Sequence, residues 1–212
     1  GTGNDLAGAG ASAAYLSAGF IIEEGLPMKE LEAVVASMAR EAREAGVHIV
    51  TGDTKVVNKG KADKLFINTS GIGYLHPTFK GLMHAETIRP GDKILVNGCL
   101  GDHGVAVLAA REGLNLSSGI LSDCACLNGL TAKILKMTKG VRFMRDLTRG
   151  GLATVLCEIT AQADFGVTIR EENIPVREEV TGVCEMLGLD PLYLANEGKF
   201  ITVVDQEDAS SL

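Results

Sequence analysis

Residues 49–55, I-V-T-G-D-T-K, contain the side chains best suited to chemistry. Two β-branched residues are typical of the end of a buried strand, and Gly52 permits a sharp turn after them. The polar residues that follow are Asp53, Thr54 and Lys55. A carboxylate, a hydroxyl and an ammonium group are what is needed to hold Mg²⁺ and a polyphosphate together. The stretch therefore predicts either a metal and phosphate site beyond a strand end or an exposed polar turn.

A second acidic position opens the chain. Asn4 and Asp5 precede an Ala/Gly-rich segment that extends to about residue 18. One interpretation is a helix over this segment, with these two residues providing its N-cap chemistry. The other is that Asp5 joins Asp53 around a divalent cation, so that two carboxylates distant in sequence converge on one cleft. The sequence leaves both open.

Two further polar turns lie between a predicted strand and a predicted helix. G-D-H-G at 101–104 could cradle an anion with its backbone N–H groups, or could serve turn chemistry alone. R-D-L-T-R-G-G at 145–151 could hold a phosphate bidentately through its arginines, or could form a local Arg–Asp ion pair. His103 could act as a base, although a loop histidine is more often a cap or a surface residue.

Glu197 precedes a predicted strand instead of following one. It could be a general acid or base, or an ordinary surface residue. Gly198 beside it marks a bulge or a close approach of two backbones.

Hydrophobic periodicity predicts the elements that position these side chains. The clearest is a helix over residues 28–45, whose apolar residues recur on one face. A polar loop at 58–63 separates two of the predicted strands. Other helices are predicted at 105–111, 122–135 and 178–187 and ending near 161; strands are predicted at 47–50, 65–74, 93–96, 141–144, 166–170 and 200–204. This alternation predicts an α/β fold of two domains, with a boundary near residue 88.

Composition narrows the functional classes. The 212 residues are 46% hydrophobic but only 4% aromatic, which is typical of α/β layers. A net charge of −7 argues against general binding to nucleic acid or anionic membranes. Five cysteines without framework spacing predict reduced, mostly buried thiols in a cytosolic protein. We find no signal peptide and no apolar run long enough to span a bilayer.

The motifs together resemble the HypE family of hydrogenase maturation proteins, within the AIR synthase-like (PurM-like) superfamily. The blocks that carry the resemblance are N-D-L-A at 4–7, Y-L-S-A-G-F-I-I-E-E-G-L-P-M at 15–28, I-V-T-G-D-T-K-V-V at 49–57, G-D-H-G at 101–104, L-S-D-C-A at 121–125, R-D-L-T-R-G-G at 145–151 and L-G-L-D-P-L-Y-L-A-N-E-G-K at 187–199. The shorter motifs alone would indicate only the wider superfamily. The likeness extends over nearly the whole chain.

The resemblance implies a PurM-like, two-domain α/β fold that binds ATP and forms a homodimer. Residues 1–88 would belong to the N-terminal domain and 89–212 to the C-terminal domain, each incomplete at its outer end. The implied reaction is the ATP-dependent dehydration of a C-terminal S-carbamoylcysteine to a thiocyanate, which supplies cyanide for [NiFe]-hydrogenase. The family's Gly-rich N-terminal arm and terminal cysteine are absent from the printed residues, so we expect the chain by itself to be inactive.

The resemblance also assigns residue roles. Asp5 and Asp53 would bind Mg²⁺, with Asn4, Gly52, Thr54 and Lys55 around the metal and the triphosphate. Asp146, Arg149 and Gly150 would approach the nucleotide from the second domain. Glu197, Lys199 and Lys55 would be catalytic, with Glu197 and Lys199 at the carboxamide.

The implied partners are the carbamoyltransferase HypF and the HypC–HypD complex, in the cytoplasm. Two alternatives remain at this point. One is another ATP-using member of the superfamily, such as a selenophosphate synthetase-like enzyme. The other is a non-catalytic docking module in metallocentre assembly, in which the acidic residues are merely turn residues.

Overall fold

Two three-stranded sheets organise the chain, in a computed structural model that describes residues 1–113 and 119–212. The first has the order β2-β1-β3 and the second the order β4-β6-β5. The strands are β1 (Ala11–Glu23), β2 (His48–Val57), β3 (Leu65–Leu75), β4 (Lys93–Val96), β5 (Val141–Asp146) and β6 (Phe200–Val204). The helices are α1 (Thr2–Gly8), α2 (Met28–Glu44), α3 (Asp102–Glu112), α4 (Asn128–Met137), α5 (Gly151–Ala161) and α6 (Glu178–Leu187).

The first sheet is built around β1. This strand pairs parallel to β2 across the crossover helix α2, and antiparallel to β3. Helix α1 packs on one face of the sheet: a Cβ at Gly71 would lie 2.7 Å from Leu16 and 2.8 Å from Thr2. The small residues of β1 and β3 therefore let α1 lie close to the strands.

The opposite face of this sheet carries large apolar side chains that are uncovered in the single chain. The register places Tyr15 beside Ile72, and Ile21 beside Phe66. Their exposed fractions range from 40% for Tyr15 to 67% for Ile72. Tyr74, on the same face, is 71% exposed. We call this surface, formed by these five residues, the open sheet face.

The second sheet holds the main hydrophobic core. All five residues of β6 are buried between the antiparallel neighbours β4 and β5. Helix α5 packs against them through Leu152, Val155 and Ile159. Because β6 is the central strand, the turn that leads into it is held on both sides. No helix among the described residues is long and apolar enough to cross a membrane.

Three of the predicted elements are wrong in part, and a fourth does not form. The helix predicted to extend to residue 18 ends at Gly8, and Gly10, with φ of 79°, turns the chain into the long strand β1. Small residues are compatible with either element, and pairing on both edges decides for the strand. The strand predicted at 47–50 continues to Val57, with no turn at Gly52.

The other two errors lie in the second half. Helix α4 begins only at Asn128, because residues 122–127 form neither helix nor strand and hydrogen-bond with other parts of the chain. No strand forms at residues 166–170, which line a groove beside β4 instead of pairing with it. The helices predicted at 28–45, 105–111 and 178–187 and the strands predicted at 65–74, 93–96, 141–144 and 200–204 are confirmed to within a few residues.

Candidate active site

Residues 195–199, which we call the Glu197 turn, are the point on which the motifs converge. Several backbone groups of the turn hydrogen-bond with other segments of the chain, so its conformation is fixed from several directions. The bonds are Gly104 N–H to Ala195 O (3.1 Å), Glu197 N–H to Asp123 Oδ1 (2.9 Å), Asn97 Nδ2 to Gly198 O (3.1 Å), and Leu147 N–H to Lys199 O (3.1 Å).

Gly198 makes the closest approach in this turn. A Cβ at this position would lie 1.9 Å from the backbone oxygen of Asp123. Only glycine can occupy it without moving one of the two backbones. This confirms the close backbone approach that the sequence offered as one interpretation of Gly198.

Asn4 ties helix α1 to the same place. Its Nδ2 donates to the backbone oxygens of Ala125 (2.9 Å) and Glu197 (3.3 Å), and its Oδ1 accepts from Leu127 N–H (2.9 Å). Both amide hydrogens are therefore used on the protein itself. Asn4 is 9% exposed and acts here as a connection between the first helix and the Glu197 turn.

A His–Glu pair lies at the surface of the turn. The Nε2 atom of His103 is 3.9 Å from the Glu197 carboxylate, and its Nδ1 is 2.8 Å from the Ser122 hydroxyl. That hydroxyl also contacts Cys124 Sγ at 3.2 Å. With Nδ1 donating to Ser122, His103 can exchange a proton through Nε2 on the side of Glu197.

Lys199 and Asp123 form a buried ion pair beneath this surface. The ammonium is 3.1 Å from Asp123 Oδ2, and the two side chains are 12% and 4% exposed. Among the described residues, Oδ2 accepts no bond of good hydrogen-bond geometry, so its charge is balanced by the nearby ammonium. Lys199, predicted to act at the carboxamide, is thus engaged with the protein.

Asp5 lies near two other carboxylates. The pKa of Asp5 is raised, although the residue remains exposed. The largest cause is desolvation, and repulsion from Asp146 and Glu197 adds to it. The N-terminus and Arg145 act in the opposite direction. A cation placed among these acids would relieve the repulsion.

Asp146 and Gly150 belong to the turn between β5 and α5. Gly150 has φ of 64°, and a Cβ there would lie 2.1 Å from the Thr154 hydroxyl oxygen. Arg149 is exposed and forms no ion pair within the described part of the chain. Arg145 contacts Asp146 (3.9 Å), which is the local Arg–Asp ion pair that the sequence offered as one interpretation, and it also pairs with Glu158 (3.0 Å).

Asp53 is not brought to Asp5 within this chain. The register pairs Asp53 with Gly19 and Lys55 with Ile21, which places both on the open sheet face, whereas α1 lies on the opposite face. Asp53 Oδ1 accepts from Thr54 N–H at 2.8 Å. The joint binding of one Mg²⁺ by Asp5 and Asp53 stays a prediction.

Gly52 has a different role from the one that the sequence suggested. It lies inside β2, outside the left-handed region, and a Cβ there would be 2.0 Å from Ala18 O. The glycine is required by the close approach of β1, at the irregular register between the two strands.

A magnesium ion fits this site only with help from its substrate. Within residues 1–113 and 119–212, no group of three or more His, Cys, Asp or Glu side chains is placed to hold a metal ion alone. Mg²⁺ usually takes one or two carboxylates and completes its shell with phosphates and water. The oxygen donors of Asp5 and Asp146 fit that requirement.

A cavity of about 530 Å³ lies next to the turn. It is bounded by α2, the start of α1 and residues 124–126, and Glu197 is part of its wall. This space adjoins the Glu197 carboxylate and is large enough for a small-molecule ligand.

Asp123 and Ser122 were not predicted as site residues, although both belong to the motif L-S-D-C-A. The motif was predicted to lie largely in a helix, which gave no sign that these side chains face the site. The expectation of mostly buried thiols was also wrong: Cys124, Cys126 and Cys157 are exposed, and only Cys184 is buried.

Two protein-family models match the chain. The N-terminal domain of the AIR synthase related proteins matches residues 1–75, and the C-terminal domain of the same family matches residues 89–212. The carbamoyl dehydratase HypE of Rhodobacter capsulatus is 53% identical over 211 residues, which is 100% of this chain. The chain belongs to the HypE group of the AIR synthase related family.

Solved HypE structures have the same fold. HypE in complex with ATP superposes with a TM-score of 0.94 at 50% identity, covering 99% of this chain and 62% of that one. The structure of a HypE–HypF complex gives a TM-score of 0.94 at 48% identity, covering 99% of this chain and 68% of that one. The mixed α/β, PurM-like fold expected from the resemblance is confirmed.

The HypE relatives are longer than this chain. It spans 62% of the Rhodobacter capsulatus protein. Activity, substrates and partners belong to whole proteins and are therefore treated below as proposals.

Proposed function

We propose that the protein is an ATP-dependent carbamoyl dehydratase that converts an S-carbamoylated C-terminal cysteine into a thiocyanate, for [NiFe]-hydrogenase maturation. The observation that carries the proposal is the convergence of four separate motifs on the Glu197 turn, with Asp5 and Asp146 nearby. An exposed turn without function would not need support from α1, from residues 122–127 and from two strand–helix junctions at once.

The proposed reaction balances as two steps. The carboxamide oxygen attacks the γ-phosphorus of ATP, the bond from that phosphorus to ADP breaks, and an O-phosphorylated intermediate forms. The nitrogen then loses its protons as the C–O bond breaks, which leaves the nitrile of the thiocyanate and free phosphate. Bound Mg²⁺ would neutralise charge on the transferring phosphoryl group and on the ADP that leaves.

Glu197 and His103 are suited to proton removal in the second step. The carboxylate and the imidazole Nε2 lie 3.9 Å apart and are both partly exposed at the turn. Either group could accept a proton from the carboxamide nitrogen, and the 2.8 Å contact with Ser122 holds the imidazole in place. We infer that Glu197 is the base and His103 its partner.

Asp5 and Asp146 are the proposed carboxylates for Mg²⁺, with Arg149 and the backbone around Gly150 at the phosphates. Asp53, Thr54 and Lys55 are proposed as further nucleotide contacts, and Asp53 as a further metal ligand. Because Asp53 and Lys55 lie on the open sheet face, we infer that they reach a nucleotide bound by a second copy of the chain across that face.

A second copy of the chain is the proposed cover of the open sheet face. Tyr15, Ile21, Phe66, Ile72 and Tyr74 are large apolar side chains exposed on one sheet face, and such exposure often marks an interface. A homodimer would bury it and would bring Asp53 and Lys55 next to a neighbouring subunit. We further propose HypF and the HypC–HypD complex as partners, action in the cytoplasm, and a domain boundary near residue 88.

The test is Glu197→Gln in the protein encoded by the complete reading frame. We expect the ATP-dependent conversion of the carbamoylated cysteine, followed by mass spectrometry, to fall by about 10²-fold or more. Glu185→Gln, which changes an exposed glutamate on α6, is the matched control and should be silent. Full activity of Glu197→Gln would refute Glu197 as the base. No conversion by the wild-type protein would favour a docking module, in which the turn only shapes a surface.

A further inference from the structure

Each carboxylate oxygen of Asp123 contacts a residue of the Glu197 turn. Oδ1 accepts the backbone N–H of Glu197 at 2.9 Å, and Oδ2 lies 3.1 Å from the Lys199 ammonium. The backbone oxygen of Asp123 is also the atom that a Cβ at Gly198 would strike. Asp123 therefore contacts three consecutive residues of the turn, 197, 198 and 199.

The Lys199 side chain is committed to this pair. It is only 12% exposed, and its stem passes Gly98, where a Cβ would lie 3.1 Å from Lys199 Cε. Asp102, another buried acid at the start of α3, is paired with Arg177 at 3.2 Å and does not compete for the ammonium as an ion-pair partner. A buried, paired ammonium is poorly placed to touch a substrate.

Ser122, which precedes Asp123 in the chain, positions His103, the proposed partner of the Glu197 base. Ser122 contacts His103 Nδ1 at 2.8 Å, so two adjacent residues, 122 and 123, place the imidazole and the Glu197 backbone. We propose that Asp123 and Lys199 form a positioning pair that sets the Glu197 carboxylate against His103. Lys199 then acts through Asp123 and not on the carboxamide. This inference rests on the proposed function.

The experiment compares Asp123→Asn, Lys199→Met and the double variant in the full-length protein. Each single change leaves one buried charge without its partner, whereas the double change removes both charges. We expect each single variant to lose about tenfold or more in kcat, with the KM for ATP changed by less than about threefold, since a small displacement of a reacting group is costly. The double variant should recover a kcat above that of either single variant.

Partial recovery is the result that a directly acting lysine cannot produce. If Lys199 touches the substrate, the double variant will be as inactive as Lys199→Met, and the inference is overturned. It is equally overturned if Asp123→Asn has the kcat of the wild type. Lys136→Met, an exposed lysine at the end of α4, controls for loss of a positive charge.

Two readouts separate this pair from the proposed function and from simple destabilisation. The first is the KM for ATP in the double variant, which should stay within about threefold of the wild-type value because the pair positions Glu197 and does not bind the nucleotide. A rise in this KM with kcat unchanged would instead place Lys199 at the nucleotide. Circular dichroism at the assay temperature confirms that each variant is folded, and no conversion by the wild-type protein would refute the dehydratase mechanism itself.

Discussion

Replacement of Asn4 by alanine tests how much the link between α1 and the Glu197 turn contributes. The change removes the acceptor for Leu127 N–H and the donors for the backbone oxygens of Ala125 and Glu197. The side chain is 9% exposed, so water cannot readily replace all three bonds. The cost should therefore come from the groups that are left unpaired as well as from the lost bonds.

The size of the effect follows from these contacts. Two bonds of 2.9 Å are worth about 1 kcal/mol each, and the 3.3 Å bond less, so we expect a loss of about 2–3 kcal/mol in the free energy of unfolding. For a protein of 150–250 residues, 1 kcal/mol shifts Tm by about 2–4 °C. The expected decrease in Tm is therefore about 4–12 °C.

The assay is urea unfolding together with thermal unfolding by circular dichroism, with Asn58→Ala as the matched control. Asn58 is exposed in the loop between β2 and β3, and its replacement should change stability by less than about 0.5 kcal/mol. A loss below about 1 kcal/mol for Asn4→Ala would refute the claim that this side chain connects α1 to the turn. A role only in metal binding would then be the better explanation.

Three further predictions concern charge, packing and thiols. Desolvation and the nearby carboxylates disfavour the charged form of Asp5 in the folded state and raise its pKa, so Asp5→Asn should raise Tm by no more than about 2–4 °C at pH 7 while weakening Mg²⁺–ATP binding. The gain in Tm should vanish as the pH falls below about 3.9, the ordinary pKa of an aspartate, and the same gain at all pH values would contradict this cause. Gly198→Ala should lower the free energy of unfolding, measured with denaturant, by about 2–4 kcal/mol, because its Cβ would lie 1.9 Å from the backbone oxygen of Asp123. Gly182→Ala, in the middle of α6 with open space around it, is the control and should raise the free energy of unfolding by about 0.5–1 kcal/mol. Under native conditions a thiol reagent should react rapidly with the three exposed cysteines. It should not modify Cys184 until the protein unfolds, because Cys184 is buried and burial raises its pKa; rapid modification of Cys184 would show that α6 opens in the native state.

The pattern of apolar residues within each segment was sufficient to predict most of the helices and strands. The helix α2 has a single apolar stripe, and β6 is apolar except for Thr202, as a central strand requires. Both are encoded within a few neighbouring residues, so they are predictable from those residues alone. The motif blocks were likewise sufficient to identify the family, because side-chain identity does not depend on where the chain later places it.

Tertiary structure decided the identity of β1 and the extent of β2. The small residues of 11–23 fit a helix or a strand about equally, and the choice came from pairing with β2 on one edge and β3 on the other. Gly52 looked like a turn residue, yet it is a glycine because the backbone of Ala18 passes 2.0 Å from where its Cβ would be. Such contacts involve residues that are distant in sequence.

The candidate active site was likewise predictable from the sequence only in part. From residue type alone, Glu197, Asp5 and Asp146 could be recognised as candidates, because carboxylates near glycines suit metal and proton chemistry. The sequence could not show that Lys199 would be paired with Asp123, or that Asp53 would lie on the sheet face opposite α1. An ion pair and a strand register are relations between positions far apart along the chain, and only the folded backbone sets them.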